Sequence, residues 1–136
     1  MYNNQYKKPK QQLDDIVTGG IYEYVRQDNQ EVVYVGSSGS SLMELDSVHR
    51  HRPEWIPPKK HPNDKKGYQF TVFRTNLRRE EFAKLVEPRW VHEHRTMTRR
   101  ALLILERDVI SDRISKGQCM LNHYNYYHRY YRVLKL

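Results

Sequence analysis

The sequence predicts a small α/β domain of the α+β kind: a three-stranded, mostly antiparallel sheet flanked by helices. Three features predict it: a hairpin pattern near the start, one further alternating apolar segment, and a long amphipathic helix late in the chain. The 136 residues suit one domain. Their hydrophobic share of 38%, gathered in short clusters, suffices for one modest core.

Residues 1–15 are polar and basic without periodicity and read as a flexible arm; residues 16–136 read as a single domain ending in a tyrosine-rich tail. Gly19 to Arg26 and Glu31 to Gly36 are rich in β-branched and aromatic residues and form the two arms of the hairpin. Gln27 to Gln30 supply its turn. Ser37 to Ser41 make a Gly/Ser loop able to cap a short helix through Leu42, Leu45 and Val48, which Pro53 ends. From Arg52 to Gly67 four prolines and four lysines mark a long basic loop. Tyr68 to Arg74 alternates like a half-buried third strand. Asn76 is placed to cap a helix running to about Val86, and Pro88 to start another containing Trp90, Val91 and His94. The clearest helix spans about Thr98 to Lys116 and is closed by Gly117.

Twenty-four Lys and Arg against sixteen Asp and Glu leave a net charge of +8, which points to a polyanionic partner, most often nucleic acid. No apolar run is long enough to span a membrane, and no secretory leader is expected from the polar opening segment. The one cysteine, Cys119, excludes an internal disulfide and a Cys-rich zinc site, so an intracellular setting is expected. His49 with His51, and His92 with His94, are spaced by two and lack a Cys pair, which argues against structural zinc.

Glu106 stands three or four residues from Leu102, Leu103, Val109 and Ile110, on the apolar stripe of the long helix. A carboxylate there needs a cation, a metal or several donors; it could equally sit at the stripe's edge and pair with Arg107, Arg113 or an arginine from elsewhere. Tyr22 and Tyr34 occupy the two hairpin arms. A three-residue loop would put them opposite each other on one face, and a four-residue loop on opposite faces.

Gly20-Ile21-Tyr22 and Tyr34-Val35-Gly36, twelve residues apart tyrosine to tyrosine, resemble the signature of the GIY-YIG endonucleases. Downstream, the helix with Glu106 and then, after a turn, Asn122 resembles the family's acid-bearing helix and following asparagine, and the segment Tyr68 to Arg74 falls where its third strand belongs. The resemblance extends over Gly19 to Asn122. It implies a GIY-YIG-like nuclease domain that cleaves DNA phosphodiesters with one Mg²⁺ or Mn²⁺ held by Glu106. Tyr22 would orient or deprotonate the attacking water, Tyr34 would contact the phosphate or a solvent network, and Asn122 would hold the hairpin against the long helix.

One departure stands out. The family's arginine, on the helix after YVG and about a turn before a histidine, has no counterpart, because no Arg or Lys lies between Gly36 and Arg50. Either Arg50 or Arg52 reaches the phosphate with His49 or His51 as partner, or catalysis is lost and nucleic-acid or protein binding remains. Arg50 and His51 are the expected substitutes. Lys59, Lys60, Lys65 and Lys66 in the basic loop, and Arg99 and Arg100 before the acid-bearing helix, are the candidate DNA contacts, with RNA also compatible. A third reading is an unrelated small basic nucleic-acid binder in which the two tripeptides are coincidental.

Overall fold

The computed structural model describes residues 13–56, 58–59, 71–72, 75–118 and 121–122. Their order is β1 (Ile16–Arg26), β2 (Val32–Ser38), α1 (Leu42–His51), a single 3₁₀ turn (Pro53–Trp55), β3 (Pro58–Lys59), β4 (Thr71–Val72), α2 (Arg79–Leu85), β5 (Val86–Thr98) and α3 (Arg99–Ser115). The main sheet has the order β2-β1-β5 and is antiparallel throughout; β3 and β4 pair separately. This is the expected α+β class with a three-stranded sheet.

The central strand is buried without interruption from Gly19 to Val25 because both faces of the sheet are covered. Tyr22, Tyr24, Val33 and Tyr34 pack on one face with Leu45 of α1 and with Phe82 and Ala83 of α2. Ile21, Val25, Val32 and Val35 pack on the other against Leu102, Val109 and Ile110 of α3. α3 keeps its expected limits. The Thr98 hydroxyl accepts from the Ala101 N–H (3.1 Å), and Gly117 takes the left-handed φ of +79° that ends the helix.

The hairpin turn is the four-residue alternative. Arg26 N–H donates to the Glu31 carbonyl (2.9 Å), and Gln30 adopts a positive φ of 62°. Continued regularly, this register would put Tyr22 and Tyr34 on opposite faces. Val25 does pair with Val32, but Tyr24 pairs with Tyr34, so Val33 is an extra residue in β2. This bulge returns Tyr34 to the face of Tyr22.

Three expectations are corrected. The third strand of the sheet is Val86–Thr98, not Tyr68 to Arg74, and the helix expected from Pro88 is that strand. Pro88 sits on an edge strand, where a missing N–H costs no ladder bond. Of the Tyr68–Arg74 segment, Thr71 and Val72 are described and pair with Pro58 and Lys59. Finally, α2 begins at Arg79 without a side-chain cap, because Asn76 lies in a turn. There the Thr75 hydroxyl donates to the Val72 carbonyl (3.0 Å), and Val72 N–H donates to the Leu77 carbonyl (2.8 Å). Residues 1–12, Lys60, Lys65, Lys66, Cys119 and the tyrosine-rich tail lie outside the described residues. Among the described residues no helix is long and apolar enough to cross a membrane.

Between Gly19 and Tyr22, β5 carries two extra residues relative to β1. There a Cβ on Gly20 would stand 2.6 Å from the His92 carbonyl oxygen and 2.9 Å from the Trp90 ring. Backbone yields less readily than a side-chain tip. Gly20→Ala is therefore expected to cost about 1–3 kcal/mol, read as a lower urea midpoint with an unchanged denaturant slope.

Candidate active site at the edge of the sheet

β2 is an edge strand, so alternate residues turn their N–H and C=O away from β1. At Val35 the Asn122 side chain caps that edge: its Oδ1 accepts from the Val35 N–H (2.6 Å) and its Nδ2 donates to the Val35 carbonyl (2.7 Å). Asn122 is fully buried and thereby joins the segment after α3 to the hairpin. Two residues on, Ser37 presents its N–H on the same edge, and the Glu106 carboxylate accepts from it and from the Ser37 hydroxyl.

Glu106 is 5% exposed and, among the described residues, forms no ion pair. Its expected arginine partners are engaged elsewhere: Arg107 with Asp108 (3.4 Å) and Arg113 with Glu23 (3.0 Å). Glu23, 3% exposed on the same face, also receives Arg89 at 2.7 Å. Of two equally buried glutamates, one is neutralised twice and the other not at all. Desolvation raises the Glu106 carboxyl from 4.5 to about 7, and the two Ser37 bonds offset only part of that rise.

The Tyr22 phenol lies over Gly36, where a Cβ would approach its oxygen to 2.5 Å. The Tyr22 oxygen and the Glu106 carboxylate are therefore set against neighbouring residues of β2, one over its face and one along its edge. Tyr34 is close by, its ring centroid 6.2 Å from that of Tyr22. Tyr22, Tyr34, Glu106 and Asn122 are thus brought to one stretch of β2.

Arg50 and His51 are not part of this group. The Arg50 guanidinium donates to Asp46 (2.8 Å) and to the carbonyls of Ala83 (2.6 Å) and Val86 (2.7 Å), bracing α1 against α2 and β5. His51 is exposed. Helical phase explains this: His49 falls one turn after the buried Leu45, whereas His51 lies roughly 200° further round. His49 is the histidine that reaches the tyrosines, 6.0 Å from the Tyr22 ring and 5.6 Å from Tyr24. Sequence reasoning missed Ser37, Tyr24, Asp46 and Trp55 as members of the site. Only Tyr24 carried a local signal, sharing the face of Tyr22 two residues earlier.

Of the candidate DNA contacts, Arg99 is exposed and Arg100 lies within 3.9 Å of Asp14. Arg99 stands seven residues, about 10 Å, before Glu106 along α3. Lys59 is described in its backbone alone, within β3, and Lys60, Lys65 and Lys66 lie outside the described residues. Among the described residues no three His, Cys, Asp or Glu side chains converge as a ligand cluster. One buried oxygen donor held by two hydrogen bonds does suit a hard cation such as Mg²⁺, which takes one or two carboxylates and keeps most of its waters. Comparison with protein-family models, curated proteins and solved structures finds no match to this chain.

The isolation of Glu106 has a measurable cost. The folded carboxyl protonates near pH 7 and the unfolded one near 4.5, so between them the folded state holds the extra proton and stability falls as pH rises. Glu106→Gln keeps an acceptor for Ser37 and removes the titration. At pH 8 it should be more stable than wild type by about 3 kcal/mol, and its urea midpoint should lose the decline between pH 5 and 7.

Proposed function

We propose that this chain is a divalent-cation-dependent endonuclease that hydrolyses DNA phosphodiester bonds, of the GIY-YIG kind its sequence resembles. The observation that carries the reading is the buried Glu106 carboxylate, without a cation among the described residues, bonded to Ser37, the residue that follows the Gly36 under the Tyr22 phenol. A carboxyl kept in so unfavourable a state suggests a site rather than a support.

A cation held by Glu106 would supply positive charge to the scissile phosphate and its leaving oxygen. The chain's own groups do the rest. The Ser37 N–H and hydroxyl fix the direction of the carboxylate. Asn122 keeps the β2 edge at its distance from α3. Tyr22 holds a water over Gly36, where the missing Cβ leaves room for its phenol. Arg99 and Arg100, with the lysines between residues 59 and 66, would meet flanking phosphates.

A second reading, a catalytically silent relative that binds nucleic acid or another protein, is favoured by one observation. The first cation after the YVG tripeptide, Arg50, is committed to Asp46 and two carbonyls.

Incubation with supercoiled plasmid separates the two. The wild-type chain is expected to nick it with Mg²⁺ or Mn²⁺. Tyr22→Phe should slow cleavage roughly 10²- to 10⁴-fold, and Glu106→Ala by about 10³-fold or more. Intact plasmid, single-stranded DNA and RNA after incubation with wild type and either metal would overturn the endonuclease reading.

A further inference from the structure

Beneath the tyrosines, β1 and α1 share a chain of polar groups that none of the steps above uses. The Tyr24 hydroxyl donates to Asp46 Oδ1 at 3.0 Å and stands 3.0 Å from His49 Nδ1. The other Asp46 oxygen accepts from Arg50 Nε at 2.8 Å. Beside that guanidinium Asp46 is a carboxylate, and a carboxylate only accepts. A phenol has one proton, and Asp46 takes it. The bond between the Tyr24 oxygen and Nδ1 must then be made by a proton on Nδ1.

We propose that Asp46 and Tyr24 are positioning residues that hold His49 with its proton on Nδ1, leaving Nε2 as a proton acceptor in the histidine next to Tyr22. Among the described residues Nε2 has no hydrogen-bond partner. The ring is held between Tyr24 at 5.6 Å, Trp55 at 5.5 Å and Tyr22 at 6.0 Å. Burial pushes the imidazole's pKa down against the pull of Asp46, which favours the neutral ring this assignment needs. Tyr24 is pushed strongly up, first by burial and then by Asp46, so its hydroxyl remains a donor. The catalytic use of the acceptor, for the Tyr22 hydroxyl or a water upon it, rests on the endonuclease reading; the tautomer itself does not.

Long-range ¹H–¹⁵N correlation of the histidine rings in the metal-free, DNA-free protein tests the assignment directly. His49 should show a protonated Nδ1 and a bare Nε2. In Asp46→Ala the Tyr24 proton is released to turn toward Nδ1, so the proton of His49 should move to Nε2. Tyr24→Phe preserves the ring stacked on Trp55 and removes the acceptor of the Nδ1 proton, so the wild-type pattern should again be lost. A wild-type His49 protonated on Nε2, or a Tyr24→Phe protein that keeps the Nδ1–H pattern, would overturn the proposal.

In cleavage assays Tyr24→Phe should lower kcat by roughly tenfold or more with little change in KM. An unchanged kcat in a cleaving enzyme overturns the catalytic use. A chain with the Nδ1–H signature that cuts nothing defeats the endonuclease reading and supports the tautomer assignment. A chain that cuts DNA with Nε2 protonated defeats this inference alone.

Discussion

The arrangement of the site depends on one extra residue. The four-residue turn sets a register in which Tyr22 and Tyr34 would face away from each other, and Val33 cancels that offset three residues after the turn. Because side chains alternate along a strand, a slip of one position exchanges every inward group for an outward one. Without the bulge, Tyr34 would face α3, Val33 would take its place opposite Tyr24, and Val35 would take that of Gly36 opposite Tyr22. The edge contacts follow from the same offset. Val35 and Ser37 turn their N–H groups outward toward Asn122 and Glu106 because Tyr34 and Gly36 turn theirs toward β1.

The two buried glutamates show how differently one sheet face can treat the same side chain. Glu23 lies between Arg89 and Arg113 and behaves as a structural acid, its charge met on both oxygens. Glu106, on the facing helix, has hydrogen bonds but no countercharge among the described residues. Burying a carboxylate this way works against folding, and an apolar residue would serve packing better. A local conflict of this kind, within a core otherwise consistent with its pattern, is where a function is expected.

Much of this was legible in the sequence. The hairpin arms, α1 and α3 followed from alternation, three- and four-residue spacing and the terminal Gly117, and Glu106 was visible on its stripe. The third strand was not. In Val86–Thr98 two extra residues break the alternation and one flank is largely exposed, so Pro88 gave the strongest local signal and pointed to a helix. The bulge at Val33 left no trace in residue type, since valine suits either register. The lack of any earlier cation after the YVG tripeptide pointed to Arg50 or Arg52 with His49 or His51, whereas the phase set by Leu45 favours His49. The contacts among Asp46, Tyr24 and His49 join residues more than twenty positions apart and had no local signature.

From Arg79 to Ser115 the chain passes from helix to strand to helix with no connecting loop: Leu85 adjoins Val86 and Thr98 adjoins Arg99. The segment acts as a ruler without slack, and its length decides where along the sheet border the acid arrives. Adding one residue inside α3 before Glu106 would rotate the carboxylate by about 100° off its stripe. The irregular stretch of β5 opposite Gly20 already holds surplus residues, so insertions and deletions should be tolerated there first.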